Sequence, residues 1–162
     1  MNTGLELRKN GDIMKICLVG SSGGHLTHLM LLKEFWSKHD RFFVTFDKVD
    51  SRSLLEDERK YWCYYPTNRN IKNLIKNTFL AIKILRKEKP DVIVSSGAGA
   101  AVPFFWIGKL MGAKTVYIEV YDRIELPTLT GKLVYPVTDK FILQWEEQKK
   151  FYKKGINLGG IL

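Results

Sequence analysis

From residue 14 onward, short apolar runs rich in β-branched and aromatic residues alternate with longer stretches whose apolar positions recur at helical spacing. That alternation predicts βα units wound around a parallel sheet. The runs at 15–20 (KICLVG), 41–46 (RFFVTF), 91–95 (DVIVS), 114–120 (KTVYIEV) and 140–144 (KFILQ) read as strands, with a weaker one at 62–65. Several are apolar at successive positions rather than alternate ones, which suits strands buried on both faces. Helices are predicted over residues 25–37, 51–60, 70–88, 100–111, 129–135 and 146–153. The expected fold class is α/β, a Rossmann-like parallel sheet of about six strands with helices on both faces. No repeat or linker interrupts it, so residues 14–162 read as one domain and the polar segment 1–13 as a disordered leader.

Composition narrows the class. The 162 residues are 45% hydrophobic, 27% charged and 12% aromatic, which fits a folded, water-soluble domain rather than a disordered chain. Lys and Arg number 26 against 17 Asp and Glu, a net charge of +9. In the leader, Arg8 and Lys9 cancel Glu6 and Asp12, so the excess belongs to the domain and calls for an anionic partner. Cys17 and Cys63 supply neither a disulfide framework nor metal-ligand spacing, which fits a reducing compartment. No motif calls for a metal or cofactor. The longest apolar stretches are broken by Lys33, Lys83 and Lys109, so no membrane span is expected.

Candidate chemistry gathers at two glycine turns. Gly20-Ser21-Ser22-Gly23-Gly24-His25 joins the first strand to the first helix, at the carboxyl edge of the sheet where ligands bind in such folds. Its glycines let backbone N–H groups approach a diphosphate or sugar at a helix N-terminus. The spacing is neither G-x-G-x-x-G nor a P-loop, which weighs against NAD and ATP. The plainer alternative is a tight turn with Ser22 or a neighbour as N-cap. His25, at the helix head, reads as a general base for a hydroxyl nucleophile or as a capping histidine. His28 and His39 read as structural. The second turn, around Gly97 and Gly99, opens the helix after the 91–95 strand and should face the first across a cleft, unless its small residues serve only close packing.

Residues 70–89 place Ile71, Leu74, Ile75, Phe79, Ile82 and Leu85 on one helical face, expected to pack into the core. Lys72, Lys76, Lys83 and Arg86 occupy the rest, and with Phe104, Phe105 and Trp106 of the next helix they are expected to meet an anionic membrane surface. Nucleic acid is set aside, because no aromatic platform alternates with the basic residues. Glu119 ends the 114–120 strand at the ligand edge and Asp122, Arg123 and Glu125 follow in the loop, as sugar or phosphate partners or as plain loop solvation.

Three segments together, GSSGGH at 20–25, DVIVSSGAGAAVPF at 91–104 and VYIEVYDRIELPTLTGKLVYPVTDKFILQW at 116–145, resemble one family. The chain is similar to bacterial PssD/CpsF-type polysaccharide glycosyltransferase subunits, and to the membrane-recruiting subunit of the eukaryotic two-part UDP-GlcNAc transferase. The glycine turns are shared more widely with MurG. The resemblance implies the acceptor-side half of a GT-B glycosyltransferase, with UDP-sugar bound mainly by a separate donor-side subunit in a heterodimer. It implies that Ser22, Gly23, Gly24, Gly97 and Gly99 hold a polyprenyl-diphosphate-linked saccharide while His25 acts as base. It adds Glu119, Arg123, Thr130 and Gly131 to that site, and partner contact through the terminal Ile161 and Leu162. Activity would require the partner and serve capsule or exopolysaccharide synthesis at the cytoplasmic face of the plasma membrane, with peripheral attachment. Two other readings stand beside this one: a non-catalytic scaffold that recruits and activates the transferase, and a self-sufficient nucleotide-binding Rossmann enzyme.

Overall fold

The computed structural model describes residues 12–160. Strands β1 (Lys15–Val19), β2 (Asp40–Phe46), β3 (Lys60–Cys63), β4 (Val92–Ser95), β5 (Lys114–Ile118), β6 (Lys140–Leu143) and β7 (Ile156–Asn157) form one sheet in the order β3-β2-β1-β4-β5-β6-β7. Every neighbouring pair is parallel. Between them run α1 (Gly24–Leu31), α2 (Lys33–Trp36), α3 (Val49–Leu54), α4 (Ile71–Glu88), α5 (Ala101–Leu110) and α6 (Leu129–Val134), with single 3₁₀ turns at Tyr135–Val137 and Glu146–Lys150. The expected contacts Ile161 and Leu162 and all but the last two residues of the expected leader lie outside the described residues.

The unbroken apolar runs have the expected cause. Cys17, Val19, Phe42, Val44 and Ile93 enter one core cluster, while their neighbours Ile16, Leu18, Phe43, Val92 and Val94 enter the other. Each central strand therefore alternates between two buried layers and shows no polar face. The strand order reverses between β1 and β4, and the two glycine turns leave those two adjacent strands at their carboxyl ends. In open parallel sheets this switch point is where a crevice forms.

Several boundaries differ from the pattern. The helix expected over 25–37 breaks at Leu32, because the Leu29 carbonyl accepts from the Trp36 indole Nε1 at 2.9 Å and from Leu32 N at 3.2 Å. The helix expected over 51–60 ends at Leu54, where the Lys60 ammonium takes up the carbonyls of Leu55, Glu56 and Glu58, and β3 starts at Lys60 itself. A seventh strand, β7, exceeds the expected six. A methyl group on Gly155 would stand 2.6 Å from Leu143 Cδ1, so glycine lets the chain close onto β6 there.

The long helix α4 is rotated from its expected seat. It buries Asn77, Ala81, Ile84, Leu85 and Glu88, and of the expected inward face only Leu85 is fully covered. Both inward polar groups have partners: Asn77 bonds Tyr64 N and O at 2.8 and 3.0 Å, and Glu88 is met by Tyr61, Lys15 and Arg59. A paired amide and carboxylate are tolerated inside, and that pairing sets the face. Ile71, Leu74, Ile75 and Phe79 are left on the surface, with Ile71 at 74% and Phe79 at 70% exposure. Conversely Phe104 and Phe105 are fully buried in the core, so they present nothing to a membrane. Only Trp106 of that trio reaches the surface, its indole donating to Leu133 O at 3.0 Å.

Candidate functional site

The first glycine turn begins where β1 ends. Gly20 N donates to Val44 O at 3.1 Å, and the chain then reverses at Gly23, whose φ of 75° favours glycine. Gly23, the neighbour of Ser22, is the N-cap of α1, and no side chain caps that helix end. The Gly23 N–H is instead taken by Asp50 Oδ2 at 2.7 Å, reaching across from α3. The second turn leaves β4 through the buried Ser95, whose hydroxyl accepts from Gly97 N at 3.1 Å. Gly97 has φ 133° and Ala98 has φ 76° before α5 begins.

His25 ties the two turns together. Its Nδ1 lies 2.8 Å from Ser96 O, and Ser96 Oγ donates to His25 O at 2.8 Å. A carbonyl only accepts, so Nδ1 carries the proton and Nε2 keeps its lone pair. Among the described residues nothing hydrogen-bonds Nε2. Burial lowers the pKa of the ring below its ordinary value, outweighing the Ser96 carbonyl that favours the charged form. His25 is therefore favoured as a neutral imidazole with the proton on Nδ1. The ring also dictates the second turn: a Cβ on Gly97 would come within 2.4 Å of His25 Cε1.

His25 borders two hollows. The larger, of about 670 Å³, contains Gly97, Gly99, Arg123 and Thr130 and runs out over Ile71, Leu74, Leu129 and Leu133. Its wall combines polar residues, among them Arg69 and Arg123, with the apolar Ile71, Leu74, Leu129 and Leu133. The smaller, of about 390 Å³, is lined by Gly24, His25, His28, Val120, Tyr121 and Asp122. Another hollow of about 540 Å³, between Leu85, Pro90 and Met111, lies at the opposite edge of the sheet and contains neither glycine turn.

Not every expected site residue reaches these hollows. Ser22 and Gly23 line neither. Glu119 is fully buried behind the larger one, accepting from Thr128 Oγ1 at 3.0 and 3.1 Å, from Tyr152 OH at 2.6 Å and from Val120 N at 3.0 Å. Gly131 is packed against the same group: a Cβ there would stand 2.5 Å from both Glu119 Oε2 and Tyr152 OH. Thr128 in turn caps α6, accepting from Gly131 N at 3.0 Å. Glu119 and Gly131 thus hold α6 in place, so that Thr130 and Arg123 face the cleft.

Sequence reasoning missed the residues that brace these loops. Gln148, fully buried, donates through Nε2 to Val120 O at 3.2 Å and Arg123 O at 3.1 Å, while its Oε1 accepts from Gln144 N and Trp145 N. It sits in the charged string EEQKK, where no apolar period marks it as inward. Tyr152 and Thr128 were equally silent. Arg69, on the wall of the larger cleft, lies in a polar loop with no pattern of its own. Gly99 carried a signal in hindsight: a Cβ would press on Thr67 Cβ and O at 3.1 Å, so glycine admits the 67–70 loop over the second turn.

The membrane expectation falls on α4. Lys72, Lys76, Lys83 and Arg86 are all exposed, and they flank the exposed Ile71, Leu74, Ile75 and Phe79. No helix among the described residues is long and apolar enough to cross a membrane.

A family described as oligosaccharide biosynthesis protein Alg14 like matches residues 16–161. The human UDP-N-acetylglucosamine transferase subunit ALG14 is 28% identical over 93% of this chain and 84% of its own length. The subunit of the same name from Candida albicans is 39% identical over 52% of this chain and 40% of its own. Among solved structures, Acinetobacter baumannii MurG superimposes with a TM-score of 0.70 over 83% of this chain at 15% identity. S. aureus MnaA, in a co-structure with UDP, gives 0.73 over 92% at 10% identity. The chain spans 42% and 46% of those two, and such low identities speak to the fold alone. That fold is one lobe of the MurG-like GT-B architecture.

Proposed function

The chain belongs to the Alg14-like family of oligosaccharide biosynthesis proteins, and from that premise we propose that it is the acceptor-side, membrane-docking subunit of a two-part UDP-sugar-dependent glycosyltransferase. The donor-side lobe, holding most of the UDP-sugar, comes from a partner chain. The acceptor is a polyprenyl-diphosphate-linked saccharide. The likeness to PssD/CpsF-type subunits supports capsule or exopolysaccharide synthesis at the cytoplasmic face of the plasma membrane. What carries the reading is the match over 84% of the length of a human protein whose name is that of a transferase subunit. The exposed apolar stripe of α4 with its flanking lysines supports peripheral attachment to an anionic bilayer.

In the mechanism, the acceptor hydroxyl approaches His25 Nε2, which takes its proton as the oxygen attacks the anomeric carbon of the donor sugar. The Nδ1–H bond to Ser96 O holds the tautomer and steadies the imidazolium that forms. The sugar–phosphate bond breaks, UDP leaves toward the partner, and the histidine returns its proton to solvent. Calorimetric titration of the isolated chain with UDP-GlcNAc tests the division of labour. Negligible binding is expected, and tight stoichiometric binding would instead favour a self-sufficient nucleotide enzyme.

A second reading has its own observation. The reciprocal bonds between His25 and Ser96 suffice to staple the two glycine turns, which is reason enough for a histidine in a scaffold that only recruits and activates the transferase. Comparing His25→Asn with His25→Ala, as set out in the Discussion, separates the two.

A further inference from the structure

Two guanidinium groups, Arg69 and Arg123, line the cleft that begins at His25, and neither takes part in an ion pair among the described residues. They come from separate segments, the loop before α4 and the loop after β5. Both side chains are exposed, so each retains its full hydrogen-bonding fork. The first glycine turn differs in charge. Its Gly23 N–H already donates to the Asp50 carboxylate, which puts a negative group at the place where the sequence alone would seat a phosphate. The same cleft is also lined by Leu74, Leu129 and Leu133, which are 41%, 59% and 46% exposed. Ile71 and Leu74 belong at once to this cleft and to the surface stripe of α4.

We infer that Arg69 and Arg123 together clamp the diphosphate of a prenyl-diphosphate ligand beside the second glycine turn, and that its first isoprene units lie over Leu74, Leu129 and Leu133. Bidentate guanidinium–phosphate bonds fit a diphosphate, and the exposed leucines of the same wall favour an isoprenoid over a free nucleotide. The inference rests on the acceptor-side reading above and adds a specific anion seat, with Arg69 as a ligand that no motif marked. Asp50 excludes the same anion from the first turn.

The test is calorimetric titration of the full chain with geranyl diphosphate, a soluble probe carrying the diphosphate and two isoprene units. Parallel titrations use inorganic diphosphate, geraniol and UDP. Geranyl diphosphate should bind more tightly than the other three. Arg69→Ala and Arg123→Ala should each weaken it about tenfold or more, with Arg69→Lys falling between, while Lys33→Ala on the far side leaves it unchanged. Wild-type affinity in both arginine variants would overturn the clamp. Tighter binding of UDP would do the same, and so would equal binding of geraniol. Failure of the transferase reading shows elsewhere, as loss of activity in the reconstituted pair with probe binding intact.

Discussion

His25 and Ser96 bond each other twice, ring to carbonyl and hydroxyl to carbonyl, both at 2.8 Å, across the switch point of the sheet. The His25 side chain thus links the two glycine turns and lines the cleft, its Nε2 without a hydrogen-bond partner among the described residues. Removing it should cost more than one property. In the complex with its partner, His25→Ala is expected to lower kcat by about 10²–10⁴-fold, the usual contribution of a positioned base. His25→Asn keeps an N–H to donate to Ser96 O but has no basic nitrogen. It should retain the melting temperature of the parent and be as inactive as the alanine variant. If His25→Asn turns over at the parent rate, the histidine is a staple and the scaffold reading holds.

The pH dependence follows from burial of the same ring. Its folded pKa lies below the ordinary 6.5. The acid limb of the kcat profile should therefore fall below pH 6.5, activity persisting where a free imidazole is already half protonated. The stability contribution has the matching sign. Between the folded and unfolded values the unfolded chain binds the extra proton, so stability declines as pH drops through that window and levels off beneath it. Chemical denaturation of the parent and His25→Asn across pH 5–7 checks this: the parent's decline should be the steeper.

Gly97→Ala places a methyl group 2.4 Å from His25 Cε1 at a backbone φ of 133°. Both the ring and the turn must move. A loss of about 1–3 kcal/mol is expected from strain and overpacking, together with lost activity. Gly24→Ala, where a Cβ meets nothing within 4 Å, should fold normally. Thermal melts of the two variants make the comparison.

Glu119 receives donors from Thr128, Tyr152 and Val120 in a fully buried setting. Glu119→Gln replaces one acceptor oxygen with an NH₂ that faces those donors. The expected loss is about 1–3 kcal/mol. Because the carboxylate braces α6 through Thr128, KM for the acceptor should rise through displaced Thr130 and Arg123 more than kcat falls. Tyr152→Phe should show a milder version of the same split.

The stripe on α4 makes a prediction that separates docking from folding. Phe79 is 70% exposed and Ile75 53%. Phe79→Glu and Ile75→Glu should change stability by no more than about 0.5 kcal/mol, as is usual for surface positions. The same variants should lose cosedimentation with vesicles containing anionic phospholipid. Unchanged vesicle binding would remove α4 from the membrane contact.

The sheet was legible because its strands are buried on both faces, and short β-branched runs such as KICLVG, bounded by glycine, suit such strands. The two turns were legible because clustered glycines mark tight backbone, and Gly23 and Gly97 do take positive φ. What stayed hidden depended on pairing across the fold. The inward face of α4 is set by Asn77 meeting Tyr64 and Glu88 meeting Tyr61, contacts between residues 13 and 27 positions apart that no helical period carries. The apolar stripe that looked like core is surface for that reason. Glu119 looked like a ligand residue from its place at a strand end. Its donors, Thr128 and Tyr152, reach it from 9 and 33 residues away.

The central claim is that this lobe works only with a donor-side partner. The most direct measurement is sugar transfer from UDP-sugar to a polyprenyl-diphosphate-linked acceptor on vesicles, run with this chain alone, with the donor-side chain from the same genome alone, and with the two together. The account predicts turnover only in the mixture. Full turnover by this chain alone would contradict it.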